Sequence, residues 1–223
     1  NIGGELALTC DLKGGDFTDW VEMIHSPKFK EIDMVSICTP NYLHSVMVRE
    51  LLAQGKKVLC EKPLTSSLQE ALDLQDLAHK YNSTLIVGQN YRLTPSFLET
   101  RRIIREGSIG TITGIETTYL HDMTEYRMGT AERNAQDFLY VGGSHAVDLV
   151  CWIVDQEVVD IQANAGTKIR SMYTCQERYQ IILRFASGIL GHVSLDASSA
   201  CLIHGSDMVV EGEKGSLASH NKI

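Results

Sequence analysis

The stretch Lys57-Val58-Leu59-Cys60-Glu61-Lys62-Pro63 places a short apolar β-strand directly before a charged triplet that ends in proline. In a parallel α/β sheet, the residues that follow a strand at its carboxyl end are the ones delivered to a ligand. Pro63 fixes its own φ and restricts the residue before it, so the Lys62 amine is held in a defined direction. Taken alone, the triplet favours the alternative of a solvated lysine on a surface turn, since loops are normally exposed. The flanking segments therefore decide between the two interpretations.

Strand-like and helix-like segments alternate on both sides of this stretch. Strands are predicted at residues 5–10, 33–38, 57–60 and 84–88. Helices are predicted at residues 19–25, 42–54 and 67–81, the last of them opening on a capping box formed by Ser67 and Glu70. This alternation is typical of a parallel sheet with helices on its faces. Residues 1–90 are therefore predicted to form a Rossmann-type dinucleotide-binding domain of the α/β class. No G-x-G-x-x-G precedes Glu5, so its first strand and Gly-rich turn are lacking.

The pattern changes after Gln89. A helix at residues 96–106 and a strand at 111–119 lead into a polar stretch, 121–137, which is a candidate site loop. A buried helix at 143–154 is followed by four segments of alternating polarity at 158–165, 179–185, 189–195 and 206–211. Short connections between strands favour antiparallel pairing. Residues 91–223 are thus predicted to form an α+β domain with a mostly antiparallel sheet, which we expect to be incomplete at its C-terminus.

Composition narrows the possible partners. The 223 residues are 43% hydrophobic, and 28 acidic against 20 basic side chains give a net charge of -8, which argues against a nucleic-acid partner. The six cysteines are scattered without a C-x-x-C pair or metal-ligand spacing, so no metal site is predicted and a reducing, cytoplasmic location is expected. No apolar run reaches the roughly eighteen residues of a membrane span, so no membrane partner is expected.

Three motifs resemble the glucose-fructose oxidoreductase and inositol dehydrogenase family, called Gfo/Idh/MocA. Residues 35–44 (VSICTPNYLH) are similar to its strand and T-P-N-x-x-H turn, and residues 58–64 (VLCEKPL) to its E-K-P signature. Residues 142–149 (GGSHAVDL) are similar to its G-x-H-x-x-D-L helix. The order and separation of the motifs also fit. The resemblance extends over residues 4–215 and implies that family's two-domain fold.

The resemblance implies a nicotinamide cofactor. Asp11 follows a predicted strand, where the general dinucleotide fold places the acid that binds the adenosine ribose hydroxyls. An acid there disfavours a 2′-phosphate, so NAD is favoured over NADP, although Asp11 as an ordinary turn residue is the alternative. Asn41 as a helix N-cap and His44 as a buried structural histidine are also left open. The full set of implied cofactor-binding residues is Asp11, Thr39, Pro40, Asn41, His44, Glu61, Lys62, Gln89 and Asn90.

The resemblance also implies two catalytic residues, Lys62 and His145. It places Lys62 beside the nicotinamide and the reacting hydroxyl, where partial desolvation and a cationic ring would lower the pKa of the amine toward that of a proton-transfer group. His145 has an acid, Asp148, one helical turn away, which suits a proton relay. The alternative for His145 is a core histidine that bonds Asp148 and merely fixes the helix. In the implied reaction a substrate C–H gives hydride to the nicotinamide while the hydroxyl proton leaves through a base.

The sequence departs from its relatives at Val141. Many active members carry an acid at that position, four residues before His145, and valine cannot accept a proton. Tyr140, Asp137 and Asp148 are candidate replacements. Polar side chains on the segments that the family uses for its substrate suit a polyhydroxylated or anionic molecule. The implied substrate-binding residues are Lys62, Arg92, Tyr119, Tyr126, Arg127 and His145, with His121, Arg133 and Asn134 on the same segments.

Three functions follow as hypotheses. The leading one is an NAD-dependent dehydrogenase acting on a secondary alcohol of a sugar, cyclitol or sugar derivative. The second is a glycoside-cleaving enzyme that uses NAD for transient oxidation and elimination, as in the same family. The third is a cofactor-binding regulator without turnover, which Val141 keeps open. The resemblance further implies a homodimer or homotetramer formed through the sheet of the second domain.

Overall fold

A computed structural model describes residues 3–122, 138–167, 175–198 and 205–222. The chain divides into two compact units, Asn1–Gly88 and Gln89–Ile223, and each has its own hydrophobic core. Among the helices of the described residues, none is long and apolar enough to cross a membrane.

Unit 1 is built on a three-stranded parallel sheet. The strands of this unit are β1 (Cys10–Asp11), β2 (Gly14–Gly15), β3 (Met34–Ile37), β4 (Lys57–Glu61) and β5 (Leu85–Gly88). Its helices are α1 (Trp20–His25), α2 (His44–Ala53) and α3 (Leu68–Lys80), with 3₁₀ turns at Pro27–Glu31 and Asn41–Leu43. The sheet order is β3-β4-β5, and β1 and β2 form a separate two-stranded hairpin. The α/β arrangement predicted for the first domain is confirmed.

The helices of unit 1 begin and end within two residues of the predicted positions. The Ser67 hydroxyl accepts a hydrogen bond from the Glu70 N–H at 3.3 Å, which caps the first turn of α3. The helix α2 stops at Gly55, whose φ of +72° is easily reached only by glycine. The core between α2 and the sheet is formed by Met47, Val48, Leu51, Leu52, Val58 and Cys60.

The strand predicted at residues 5–10 is wrong, since only Cys10 and Asp11 are in a strand. The Thr9 N–H and hydroxyl both donate to the Asp16 carboxylate, at 2.8 and 2.9 Å. The Thr9 carbonyl accepts from the Phe17 N–H at 3.1 Å. Because these groups are used in a local loop, Thr9 does not take part in a sheet ladder.

Unit 2 contains a six-stranded mixed sheet with helices α4 (Pro95–Arg105) and α5 (Ser144–Val154). A 3₁₀ turn at Asn90–Leu93 precedes α4, and a π-helical turn at Leu139–Gly143 leads into α5. Its strands are β6 (Ile112–Leu120), β7 (Val158–Ala165), β8 (Arg178–Phe185), β9 (Leu190–Asp196), β10 (Gly205–Gly212) and β11 (Gly215–Lys222). The order is β11-β10-β6-β9-β8-β7, and only the β6–β9 pairing is parallel. The prediction of a mostly antiparallel sheet is confirmed.

Lys56, which follows α2, connects the end of that helix to the segment that precedes β3. Its ammonium group donates hydrogen bonds to the backbone carbonyls of Phe29, Lys30 and Ile32, at 3.0, 3.2 and 2.7 Å. It also lies 5.1 Å from the centre of the Phe29 ring. A cation that satisfies the last carbonyls of a helical turn is favourable for both hydrogen bonding and the backbone dipole.

We expect Lys56→Met to lower the free energy of unfolding by about 1.5–3 kcal/mol, because it leaves three carbonyls without their charged donor. The matched control is Lys57→Met, whose side chain is exposed on the next residue and which should change stability by less than about 0.5 kcal/mol. Urea unfolding followed by circular dichroism measures both. Equal losses in the two variants would contradict this role of Lys56.

Candidate active site

Unit 1 presents its predicted cofactor residues at the carboxyl ends of its parallel strands. Strand β3 leads into Thr39, β4 ends at Glu61 and is followed by Lys62, and β5 is followed by Gln89. Parallel pairing of β3 with β4 and of β4 with β5 brings these ends to one edge of the sheet. Ligands of doubly wound α/β folds bind at this edge.

His44 is a link between two loops of this edge. Its ring is buried, with Nδ1 2.7 Å from the Pro63 carbonyl oxygen and Nε2 2.9 Å from the Thr39 carbonyl oxygen. Because carbonyls only accept hydrogen bonds, the N–H of either imidazole tautomer donates to one of these two carbonyls, and the buried ring lies between the loops after β3 and β4. The structure thus gives His44 a supporting position, and direct contact with the cofactor stays a prediction.

Lys62 is half-buried and follows the end of β4. Burial lowers the pKa of its amine, and the neighbouring Glu61 carboxylate acts in the opposite direction. The Lys62 N–H is 3.3 Å from a Glu61 carboxylate oxygen, which accepts from it, and the Lys62–Pro63 peptide bond is cis. An amine whose pKa is lowered by burial is better suited to exchange a proton near the working pH than a solvated lysine.

Cys60 immediately precedes this group and lies fully inside the core. Burial, followed by the nearby Glu61 and Cys38, raises the pKa of the Cys60 thiol to about 12. Cys38, at the end of β3, is exposed. The thiol of Cys60 is therefore a core group rather than a reactive one.

Two acceptors of the predicted cofactor set have oxygens that the described residues leave open. Asp11 is exposed, and only its Oδ1 accepts, from the Lys13 N–H at 2.8 Å. The Oε1 atom of Gln89 is buried and accepts no hydrogen bond from the described residues. A buried acceptor without a donor is costly, so it suits a ligand that brings an N–H or O–H. Contact of Asp11 and of Gln89 with a dinucleotide stays a prediction.

His145 of unit 2 lies in an aromatic cluster. Its side chain is 5% exposed, on the first turn of α5. The Tyr91 ring stacks on it, with ring centres 4.2 Å apart and planes 15° apart. The Tyr119 ring lies 6.0 Å away, and it also stacks with His121 at 6.1 Å. Predicted residues Tyr119 and His145 are thus brought together, along with Tyr91, which the sequence analysis missed.

Asp148 is paired with Arg92. Its two oxygens accept hydrogen bonds from Nε and Nη2 of Arg92, at 2.8 and 2.6 Å, and these bonds raise the pKa of the guanidinium. Arg92 was predicted to bind substrate, but the structure uses it first to connect the turn Asn90–Leu93 to α5. Its Nη1 makes no hydrogen bond to the described residues, so a substrate contact through that atom stays a prediction.

Gly142 allows the π-helical turn before α5 to approach the aromatic cluster. A Cβ atom on Gly142 would lie 2.5 Å from Phe138 Cε2 and 2.9 Å from Tyr119 Cε1. A Cβ on Gly143 would lie 2.5 Å from Leu195 Cδ1. All three contacts are closer than packed atoms tolerate, so the two glycines set the position of the turn that leads to His145.

Some predicted residues cannot be placed. Tyr126 and Arg127, together with Arg133, Asn134 and Asp137, lie outside the described residues. Within the described ranges, no three His, Cys, Asp or Glu side chains are grouped as a metal ion would require.

Comparison with known families identifies both units. Residues 5–89 match the model of the oxidoreductase family with an NAD-binding Rossmann fold. Residues 97–218, more than half of the chain, match the model of the GFO/IDH/MocA C-terminal domain. The chain belongs to the Gfo/Idh/MocA family of oxidoreductases. The family and the NAD-binding fold predicted from three motifs are therefore confirmed.

Individual members of the Gfo/Idh/MocA family are similar over most of this chain. An uncharacterized oxidoreductase, YrbE, of Bacillus subtilis is 27% identical over 92% of this chain and 59% of its own length. Inositol 2-dehydrogenase of Rhizobium meliloti is 27% identical over 86% of this chain and 58% of its length. The crystal structure of an oxidoreductase domain protein from Kribbella flavida superposes with a TM-score of 0.80 at 26% identity, covering 92% of this chain and 58% of that one. The chain thus spans less than two thirds of these relatives.

We expect Gly142→Ala to lower the free energy of unfolding by about 1–3 kcal/mol, because the added methyl group forces the buried rings of Phe138 and Tyr119 to shift. The matched control is Gly215→Ala, where the nearest atom would lie 4.0 Å from the added carbon. Urea unfolding of the two variants tests this. A Gly142→Ala protein as stable as the Gly215→Ala protein would show that the turn has room for a side chain.

Proposed function

We propose that the protein is an NAD-dependent dehydrogenase that acts on a secondary alcohol of a sugar, cyclitol or sugar derivative. The observation that carries this proposal is the half-buried Lys62, whose pKa is lowered by burial, at the ligand-binding edge of the parallel sheet. Membership of an oxidoreductase family and similarity to an inositol 2-dehydrogenase support it. The six scattered cysteines support a cytoplasmic location as a further part of the proposal.

The proposed role of Lys62 is to exchange a proton with the substrate hydroxyl. The nicotinamide ring of NAD supplies the hydride acceptor or donor. In the oxidative direction Lys62 must be neutral to accept a proton, which its lowered pKa favours. We also assign a proton-exchanging role to His145, because it is the imidazole of the family's helix motif. Asp11, Thr39, Pro40, Asn41, Glu61, Gln89 and Asn90 are proposed to hold NAD, with His44 supporting the loops.

The proposed substrate is recognised by polar side chains. Tyr119 lies next to His145 in the aromatic cluster, and Arg92 of the same unit pairs with Asp148 on the helix that carries His145. Tyr126 and Arg127 complete the set as expectations from the sequence. Hydroxyl-donating and cationic groups of this kind suit a polyol or an anionic sugar derivative.

The function is tested by incubating the purified full-length protein with NAD and a panel of polyols and sugars that includes myo-inositol. Net formation of NADH, followed by absorbance, is the expected result. Release of an aglycone from glycosides without net NADH would instead identify the elimination chemistry. Binding of NAD with neither activity would identify a regulator, which is the second candidate because Val141 replaces the acid that many active members carry.

We expect Lys62→Met to lower kcat by about two orders of magnitude or more, because it removes the proton-exchanging group. The wild-type rate of oxidation should rise with pH and level off below 10.5, since burial lowers the pKa of Lys62 from that value and the neutral amine is the active form. The variant should lose this rise. Lys57→Met, on the same strand, is the matched control and should keep the full rate. Near-normal turnover of Lys62→Met would reject the assignment.

We further propose that the outer face of the six-stranded sheet joins copies of this chain. We define the outer face by Glu116, Gln180, Ile182, Leu190, His192 and Val209, which the strand register places on one side. Ile182, Leu190 and Val209 are exposed apolar side chains in it. His192 and Gln180 are hydrogen-bonded at 2.7 Å, so the polar part of the face is ordered. A group of exposed apolar side chains with polar neighbours is typical of an interaction surface.

We expect the wild-type protein to sediment as a dimer or tetramer and Ile182→Glu to shift it toward monomer, because a charge would be buried without a partner. Leu72→Glu is the matched control, since Leu72 on α3 is 45% exposed against 42% for Ile182. Sedimentation velocity measures both. A monomeric wild type, or dissociation by both variants alike, would contradict the proposed interface.

A further inference from the structure

Of the ring contacts made with His145 by described residues, the one with Tyr91 has the shortest distance between ring centres. Tyr91 lies in the turn Asn90–Leu93 and is 8% exposed. The near-parallel stack, with ring centres 4.2 Å apart, covers one face of the imidazole. We propose that Tyr91 is a positioning residue that fixes the ring plane of His145 for proton exchange. This inference rests on the role proposed above for His145.

The orientation of a histidine ring needs an external constraint. The torsion between Cβ and an sp² ring has broad, shallow minima, so the side chain alone does not select one plane. Rotation of His145 about this torsion would drive the edge of the imidazole into the Tyr91 ring. Aromatic pairs at such distances contribute about 0.5–1.5 kcal/mol beyond the burial of area, which is enough to favour one orientation.

The carboxylate one helical turn after His145 is engaged with another side chain. Asp148 accepts two hydrogen bonds from Arg92. Val141, four residues before His145, has a side chain without hydrogen-bonding groups. The stack on Tyr91 is therefore a contact that neither of these two side chains supplies.

An ion pair is a second connection between the turn Asn90–Leu93, which contains Tyr91, and α5, which contains His145. Arg92 is the chain neighbour of Tyr91, and Asp148 lies one helical turn after His145. The bidentate Arg92–Asp148 pair thus fixes the turn Asn90–Leu93 against α5. It thereby constrains the position of Tyr91 along the axis of α5 relative to His145. The Phe97 ring makes a tilted contact with Tyr91, with ring centres 6.0 Å apart.

The ring of Tyr91, and not its hydroxyl, carries this role. The hydroxyl is buried and makes no hydrogen bond to the described residues. Phenylalanine at this position therefore keeps the stack and loses no hydrogen bond within the described chain. Leucine fills part of the volume but removes the flat face. The two substitutions separate stacking from mere filling of the core.

The experiment compares Tyr91→Phe and Tyr91→Leu with Phe97→Leu in the full-length protein. Phe97 belongs to the same buried cluster and contacts Tyr91, so Phe97→Leu reports the effect of losing an aromatic core residue. We expect Tyr91→Leu to lower kcat by about ten- to a hundredfold with an unchanged KM for NAD, because the proton-exchanging ring is misplaced. Tyr91→Phe and Phe97→Leu should keep kcat close to the wild-type value. The substrate is the member of the polyol panel that gives the highest rate.

A spectroscopic readout is independent of turnover. The carbon-bound ring protons of His145, assigned with His145→Gln, should resonate upfield in the wild type and in Tyr91→Phe because of the ring current. They should move downfield in Tyr91→Leu and keep their wild-type position in Phe97→Leu. No movement in Tyr91→Leu would overturn the stack itself.

Different results would overturn the positioning role of Tyr91 and the catalytic role of His145. Full kcat in Tyr91→Leu, combined with loss of turnover in His145→Gln, would overturn the positioning role and leave the proposed function intact. Full turnover in His145→Gln would overturn the catalytic role of His145 and the inference that rests on it. A kcat of Phe97→Leu as low as that of Tyr91→Leu would also overturn the inference. It would show that removing any aromatic ring from the cluster lowers turnover, whether or not that ring stacks on His145.

Discussion

Parallel hydrogen bonding of β4 to β3 on one side and to β5 on the other determines where the cofactor candidates of unit 1 lie. Val58 and Cys60 point into the core from β4, so a shift of one residue would turn them outward and bury their neighbours. The apolar pattern of β4 therefore determines its register, and this register places Glu61 and Lys62 at the edge of the sheet. Parallel strands also require crossover connections, which α2 and α3 provide.

Unit 2 depends on close contact between aromatic and glycine residues. The absence of a side chain at Gly142 lets the turn before α5 meet Phe138 and Tyr119, and this brings His145 within reach of Tyr91. The Arg92–Asp148 pair is partly exposed, so it contributes more to geometry than to stability. Aromatic packing, together with one ion pair that aligns the turn with α5, thus defines the surroundings of the His145 ring.

Much of this arrangement is predictable from the sequence, because local signals agree with the tertiary structure. Ser67 with Glu70 and the glycine at Gly55 identify the ends of helices in unit 1 correctly. The predicted strand at residues 5–10 fails because hydrophobic alternation does not reveal whether a partner strand is available, and Asp16 takes the Thr9 N–H instead. The strand β11 was missed since Gly215–Lys222 has only one large apolar side chain, Leu217. Its place in the sheet comes from pairing with β10.

The site shows the same division between local and non-local information. The motif residues Lys62 and His145 are recognisable in sequence. The partner of Arg92, Asp148, and the stacking partner of Tyr91, His145, lie more than fifty residues away in the chain. No periodicity connects such distant positions, so the ion pair and the stack were not predicted. Contacts between elements decide these roles, and only the folded structure contains them.

The buried thiol next to the E-K-P triplet has a chemical consequence of its own. Reaction of a cysteine with peroxide or an electrophile proceeds through the thiolate, and Cys60 with a pKa raised to about 12 is almost entirely protonated at neutral pH. The thiol of β4, the strand that precedes Lys62, is therefore protected from oxidation. Cys38, which follows the neighbouring strand β3, is exposed and accessible to such reagents.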